Sequence, residues 1–315
     1  MDNEKHVLAL GFFDGVHRGH SALMERTVEV AKEKDLIPSV ITFDTHPMTM
    51  VTHRAVPLLN SEEDRAGLIR NIFGIDDVVF LHFDEKTMCM PWDRFIENIV
   101  ENFNAAHLVC GHDYSFGYRG EGTPELLQKY CEDHGLGCDV IPPVMCDGIR
   151  ISSTCIREFI INGEMEKACE YLGHAHVLTD VVRVGRRLGR TIDAPTINMH
   201  FREGIIVPRY GVYATEVCLD DGSFHFGVTN VGVRPTVDTS ELVTAETHIL
   251  DYGGNLYGKR VRVRFYKFMR AERKFGSVEE LRAQIHADAE ATRAYFAENP
   301  PKWPSGPQYA PRQFV

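Results

Sequence analysis

Two histidines three residues apart open the chemistry of this chain: His17 and His20, in the run GFFDGVHRGH at residues 11–20. A short apolar strand at 6–10 precedes the run, and a helical stretch from about residue 20 to 34 follows it. Gly11 and Gly15 let the backbone approach a ligand closely. The helix behind them presents free N–H groups and a positive dipole end to an anion. His17 and His20 can share one face of its first turn, where two imidazoles can hydrogen-bond a phosphate whose charge grows in a transition state. In isolation, two histidines near a helix start are solvated side chains. The strand before, Gly19 between and the helix after favour the phosphate reading. A second run, ISSTCIRE at 151–158, sets Ser152, Ser153 and Thr154 at a helix start with Arg157 one turn on. Hydroxyls, open N–H groups and a guanidinium suit a phosphate, and the same hydroxyls also suit a plain N-cap.

The elements that must carry these residues alternate through the first half. Leu23, Thr27, Val30 and Ala31 define one face of the first helix. Strands are expected at 38–43, 77–83, 107–111 and 138–141, and a helix at 123–134. Trp92, Phe95, Ile96, Ile99, Val100 and Phe103 mark a further, amphipathic helix. Such alternation predicts a parallel sheet covered on both faces. After residue 151 come two short helices, 152–161 and 164–172, then β-rich segments at 181–184, 211–219, 224–230, 245–252 and 259–269, as in an antiparallel barrel. Ser277 and Glu280 form a capping box that opens a last helix to about residue 298. His174-Ala175-His176 resembles a metal hook without partners nearby and reads as a solvated linker. The change of pattern places the domain boundary within 173–179.

Length and charge agree with this division. The chain has 315 residues, roughly two domains of ~150. Lys and Arg number 34 against 45 Asp and Glu, a net charge of −11 that disfavours binding a nucleic-acid polymer but leaves nucleotides open as ligands. No apolar run approaches the ~20 residues of a membrane span, and the opening MDNEKHVLAL is wrong for a secretory signal. Eight cysteines with no CxxC spacing argue against a zinc site and for buried free thiols in a reducing cytoplasm.

The first run resembles the HxGH signature of the nucleotidyltransferase superfamily. With ITFDTHP (41–47), GHDYSFG (111–117) and ISSTCIRE it resembles, in order and spacing, the adenylyltransferase half of bacterial bifunctional riboflavin kinase/FAD synthetases. The resemblance implies a Rossmann-like parallel sheet in which His17 and His20 are catalytic. It implies ATP or phosphate binding at Gly11, Phe13, Asp14, Gly15, Ser152, Ser153, Thr154 and Arg157. Flavin binding falls to Phe43, Asp44, Pro47, Asp113, Phe116 and Gly117. PTIN (195–198) resembles the PTxN motif of riboflavin kinases, whose Thr and Asn bind Mg²⁺, here Thr196 and Asn198. Two residues apart, both oxygens can face one side of an extended segment, and hard oxygen donors suit Mg²⁺.

YGVYA (210–214), TNVGVRPT (229–236), ETHILDY (246–252), LYGKRVRVRF (256–265) and FMRAERKF (268–275) extend the match and imply an antiparallel β-barrel with a C-terminal helix. They imply Glu246 as the general base for the riboflavin 5′-hydroxyl, Gly185 and Arg190 as nucleotide contacts, and Arg270 and Glu272 as flavin contacts. Strand alternation puts Glu246 on one face with His248 and Leu250, where it can point into a barrel mouth. The Gly-rich stretches at 185–191 and 253–259 fail as P-loops by spacing or residue type.

The implied protein has an adenylyltransferase domain at 1–174, a kinase barrel at 175–300 and a Pro-rich tail at 301–315. It is cytoplasmic, takes riboflavin, FMN and ATP with Mg²⁺, and binds neither nucleic acid nor membrane. Asp193-Ala194 stands where the family usually has Gly and an aromatic. That departure keeps open an adenylyltransferase with a weakened or inactive kinase barrel, and beside it stands a flavin-responsive regulator. Oligomeric state is not legible in the sequence.

Overall fold

A computed structural model describes residues 4–183, 195–235 and 241–301. The chain divides into two compact units, Met1–Ser153 and Thr154–Val315.

In the first unit the order is β1 (His6–Leu10), α1 (Arg18–Lys34), β2 (Ile37–Phe43), α2 (Pro47–Thr52), α3 (Glu62–Phe73), β3 (Asp77–Leu81), α4 (Glu85–Met88), α5 (Trp92–Asn102), β4 (Ala105–Gly111), α6 (Pro124–Asp133) and β5 (Gly137–Ile141). A small hairpin, β6 (Met145–Cys146) and β7 (Ile149–Arg150), follows. The five longer strands form one parallel sheet in the order β3-β2-β1-β4-β5. Connections from β1 and β4 leave in opposite directions, which opens a crevice at the carboxyl ends of these two strands. The runs GFFDGVH and GHDYSFG lie at those ends. Leu23, Met24, Thr27, Val30 and Ala31 are the buried face of α1, and Phe95, Ile96 and Ile99 that of α5, as their spacing predicts. β3 stops at Leu81, short of residue 83, because His82 and the Phe83 N–H turn to the Asp44 carboxylate. The helices α2 and α3 lack a clear apolar period; α3 buries Asp64 and Arg65 beside Ala66, Leu68 and Ile69.

The second unit carries α7 (Ser153–Asn162, beginning at the last residue of the first unit), α8 (Met165–Leu172), β8 (His176–Val181), β9 (Thr196–His200), β10 (Gly211–Cys218), β11 (Phe224–Pro235), β12 (Glu241–Ile249), β13 (Arg260–Arg270) and α9 (Val278–Glu298). Six antiparallel strands run in the order β8-β13-β10-β11-β12-β9. The sheet curls until its edges meet where the Arg183 N–H donates to the Asn198 carbonyl at 2.9 Å. One face turns inward: Tyr213, Thr215, Thr229, Val231, Thr247, Val263 and Phe265 are fully buried. Across it Thr215, Thr229 and Thr247 join hydroxyls at 2.8 Å. Val212 and Val228 face outward and pack against Ala289 of α9, while Phe226 stacks on Phe296 at 4.3 Å. The Ser277 hydroxyl caps α9 as expected by accepting from the Glu280 N–H, while the Glu280 carboxylate accepts from the Gly276 N–H, one residue before the cap.

The strand expected at 181–184 begins at His176 instead. His174 and His176 are 3% and 1% exposed, not a solvated linker, because β8 pairs His176 with Phe265 inside the sheet. With α8 packed on β8 and β13, the two units divide after Ser153, the first residue of α7, whereas the sequence pattern places the boundary within 173–179. None of the eight cysteines is in a disulfide; Cys110, Cys131, Cys146 and Cys218 are buried, and Cys89 is exposed.

Candidate active sites

The loop between β1 and α1 is wound tightly. Phe13 and Val16 take left-handed φ angles of 56° and 44°, a strained conformation for residues with bulky or branched side chains. His17 caps α1: its Nδ1 accepts from the His20 N–H at 3.3 Å, so the neutral ring carries its proton on Nε2. The two imidazoles stack at 3.5 Å between centroids and 15° between planes. His17 is buried; His20 is half-buried, with Nδ1 sealed from solvent and without a hydrogen-bond partner among the described residues. Burial, then His17 and Arg65, holds the His20 pKa well below the usual histidine value. The stack is therefore uncharged at His20 near neutrality and offers N–H donors at a helix N-terminus.

Asp14 is buried and accepts from the Leu59 N–H at 2.8 Å, while its carbonyl accepts from the Ser153 hydroxyl at 2.9 Å. Ser153 thereby brings the ISST segment onto the first loop, with Ser152 half-buried before it. Gly11 and Gly15 line the same loop. Thr154 and Arg157 lie on the first turns of α7, Thr154 exposed and Arg157 half-buried.

The flavin-side expectations separate. Phe43 belongs to the core, edge-on to Phe83 at 5.1 Å. Asp44 accepts from the His82 ring at 2.6 Å and the Phe83 N–H at 3.1 Å. Burial pushes the Asp44 pKa up, but these hydrogen bonds outweigh it and the net shift is downward. Pro47 opens α2. After β4, Asp113 is exposed and pairs with Arg150 at 3.3 Å. Phe116 is buried among Trp92, Phe95 and Tyr114. Gly117 has φ +73°, and a Cβ there would lie 2.4 Å from Trp92 Cα, so packing alone requires glycine.

Sequence reasoning missed Asn60 and Arg65. Asn60 is 2% exposed with a partnerless Oδ1, and Arg65 is wholly buried beside Phe12. The only hint in the sequence is a polar pair, Asp64-Arg65, inside a capped helix.

In the second unit the strand register builds a row. Asn198 of β9 stands opposite Glu246 of β12, and Glu246 stands opposite Asn230 of β11. Thr196, opposite His248, is the next residue on the same side of β9. Asn230 Nδ2 donates to Glu272 Oε1 at 2.9 Å, and a Cβ on Gly232 would meet that carboxylate oxygen at 2.1 Å. Glu246 is half-buried and lies on the outward face with Val228, not inside the barrel, because Thr247 takes the inward position. Arg270 stands outside the row, its Nε and Nη2 donating to Asp288 of α9 at 3.1 and 2.8 Å. Asn198 is 4% exposed, and its Oδ1 has no hydrogen-bond partner among the described residues. A buried, unsatisfied amide oxygen beside a threonine hydroxyl and a carboxylate fits a hard divalent cation such as Mg²⁺. Gly185, Arg190 and the Asp193-Ala194 departure lie outside the described residues.

Residues 1–155 match the FAD synthetase family and residues 172–296 the riboflavin kinase family. The chain is 35% identical to a bifunctional riboflavin kinase/FMN adenylyltransferase of Listeria monocytogenes, over 93% of both chains. Proteins of the same description from Bacillus subtilis and Escherichia coli K12 are 32% and 34% identical, over 94% of both chains. A solved structure titled as a macrolide-efflux protein from Streptococcus pneumoniae superposes with a TM-score of 0.82 at 28% identity, covering 93% of this chain and 95% of that one. Among the described residues, no helix is long and apolar enough to cross a membrane.

Proposed function

The chain belongs to the bifunctional riboflavin kinase/FMN adenylyltransferase family, and from that premise we propose that it builds FAD from riboflavin in two ATP-dependent steps. The second unit phosphorylates riboflavin to FMN, and the first joins FMN to AMP with release of pyrophosphate. The observation that carries this reading is that both units hold a polar cluster suited to phosphate chemistry: the stacked His17–His20 pair at the switch point, and the Asn198–Glu246–Asn230 row.

In adenylyl transfer a phosphate oxygen of FMN attacks the α-phosphorus of ATP and the bond to pyrophosphate breaks. No side-chain nucleophile is needed, so the protein positions the reactants and stabilises charge. His17, fixed in one tautomer by its capping bond, donates Nε2–H to phosphate oxygens. His20 donates from the neutral ring beside it. The N–H groups of the β1–α1 loop, Gly11 to Gly15, and the Ser152 and Ser153 hydroxyls hold the triphosphate. Asp44 and the α2 start at Pro47, with Asp113, Phe116 and Gly117, shape the flavin side. For Phe43, Phe116 and Gly117 the contribution is packing behind the site.

In the kinase step Glu246 takes the proton of the riboflavin 5′-hydroxyl as its oxygen attacks the γ-phosphorus. Thr196 and Asn198 would hold Mg²⁺, which when bound draws charge from the phosphates. Asn230 orients Glu272 toward the flavin, and Arg270 braces α9 through Asp288. Gly185 and Arg190 complete the nucleotide contacts in this reading. Two ATP-consuming steps that supply flavin cofactors fit a cytoplasmic setting, and the small-molecule partners are riboflavin, FMN and ATP.

The test is direct. Purified protein is incubated with riboflavin, ATP and Mg²⁺, and flavins are resolved by chromatography. FMN followed by FAD is expected. FAD only from added FMN would remove the kinase half of the proposal, and neither product would overturn it.

A further inference from the structure

Arg65 has no exposed surface, yet its guanidinium is only half used. Nη1 donates to the Phe12 carbonyl at 3.0 Å, the Phe43 carbonyl at 3.0 Å and the Thr42 hydroxyl at 3.2 Å, while Nε and Nη2 are buried without a partner among the described residues. The group lies 4.3 Å from the Phe12 ring centroid and 5.5 Å from that of Phe80. Burial lowers its pKa; Asp14, Glu62 and Asp44 act in the opposite sense and are outweighed. A buried charge with unmet donors is costly, and an apolar residue of similar size would often hold such a position as well or better. A side chain kept there against that cost must supply something packing does not.

Its three acceptors show what that is. Phe12 belongs to the loop after β1, five residues before His17. Thr42 and Phe43 end β2, directly before Asp44, and the Thr42 hydroxyl also donates to the Phe12 carbonyl at 2.8 Å. One nitrogen thus ties the loop carrying the histidine pair to the loop carrying Asp44. We propose that Arg65 is the positioning residue of the adenylyl-transfer half, setting the separation of these two loops and with it the place of the His17–His20 stack. The inference rests on the function proposed above and adds a residue outside the motifs that suggested it. The direction of the His20 shift agrees, since Arg65 is one of its causes after burial and His17. The groups that act on His20 are the stacked His17 ring, the edge-on Phe13 ring and the Arg65 charge, with Asp14, Glu62 and Asp44 acting on the guanidinium.

The experiment compares full-length wild type, Arg65→Lys and Arg65→Met, following FAD formation from FMN, ATP and Mg²⁺ as a function of pH. FMN formation from riboflavin by the same chain serves as the control for folding. A lysine keeps the charge but not the planar fork, so Arg65→Lys lowers kcat for FAD by about 10- to 100-fold with the acidic limb of the pH profile unmoved. Arg65→Met lowers kcat comparably and moves that limb to higher pH, because His20 now accepts a proton more easily. A purely structural residue would give both variants the same limb, and that result overturns the proposal. So does an undiminished kcat in Arg65→Met. Should Arg65→Met fail to fold, Arg65→Lys decides alone, and an unchanged kcat for FAD overturns the idea. A wild-type chain that makes no FAD from FMN would instead strike the proposed function, a result separate from either variant.

Discussion

Replacing Asn198 by leucine pits stability against activity in one residue. Asn198 is 4% exposed, and among the described residues its Oδ1 has no hydrogen-bond partner. Leaving a buried acceptor unsatisfied costs about 1–3 kcal/mol, and leucine fills a similar branched shape without a polar atom. The strand contact through the Asn198 carbonyl to the Arg183 N–H survives, because it belongs to the backbone. Asn198→Leu is therefore expected to stabilise the second unit by about 2 kcal/mol in the absence of nucleotide and Mg²⁺. For a unit of this size that is a rise in Tm of roughly 4–8 °C. The same change removes an oxygen proposed to hold the cation, so FMN formation from riboflavin should fall by at least about 100-fold. FAD formation from supplied FMN should be unchanged. Differential scanning calorimetry without Mg²⁺ and chromatography of the two reactions read these outcomes. A lower Tm would show that Oδ1 is satisfied in solution, and a wild-type rate of FMN formation would remove Asn198 from the kinase site. Either result refutes the reasoning that an unsatisfied amide is kept there for a ligand.

Other perturbations separate the remaining assignments. His17→Asn keeps a capping acceptor for the His20 N–H, so helix stability should hold while FAD formation drops about 10²- to 10³-fold and FMN formation persists. Glu246→Gln should slow riboflavin phosphorylation about 10²- to 10⁴-fold without touching FAD formation from FMN; equal FMN rates would remove its role as base. Gly232→Ala sets a methyl 2.1 Å from Glu272 Oε1 and must displace that carboxylate from Asn230. It should raise the KM for riboflavin several-fold, with little further effect in a chain already carrying Glu272→Ala. His176, pushed down to about 3 by burial and then by His174, stays neutral in the folded chain while the unfolded chain protonates below ~6.5. Stability is then fully present above that pH and falls as pH drops, by about 1.4 kcal/mol per unit, or roughly 2 kcal/mol at pH 5. Urea unfolding at pH 7.5 and 5 should show that loss in wild type and a smaller one in His176→Phe.

The sequence by itself determined the residue types of both clusters and the faces that hold them. His17 and His20 lie within one helical turn, and the apolar positions of α1 and α5 recur at helical spacing, so local periodicity suffices to read them. The parallel and antiparallel halves were legible for the same reason. α3 was not, because Asp64 and Arg65 interrupt its apolar face and only tertiary contacts make that burial tolerable. The HAH segment misled for the converse reason: histidines look polar, and only pairing with β13 shows them buried.

Tertiary structure alone decided how distant residues meet. Asn198, Glu246 and Asn230 become neighbours through the register of three strands, and a slip of one residue would turn each to the opposite face. That register put Glu246 on the outward face and Thr247 inside, a choice that alternation leaves open until one face is known to be buried. Arg65 owes its place to two strand ends that the parallel sheet brings side by side. Local spacing fixes which side chains share an element; the partner a side chain finds across a sheet is set by the packing of the whole unit.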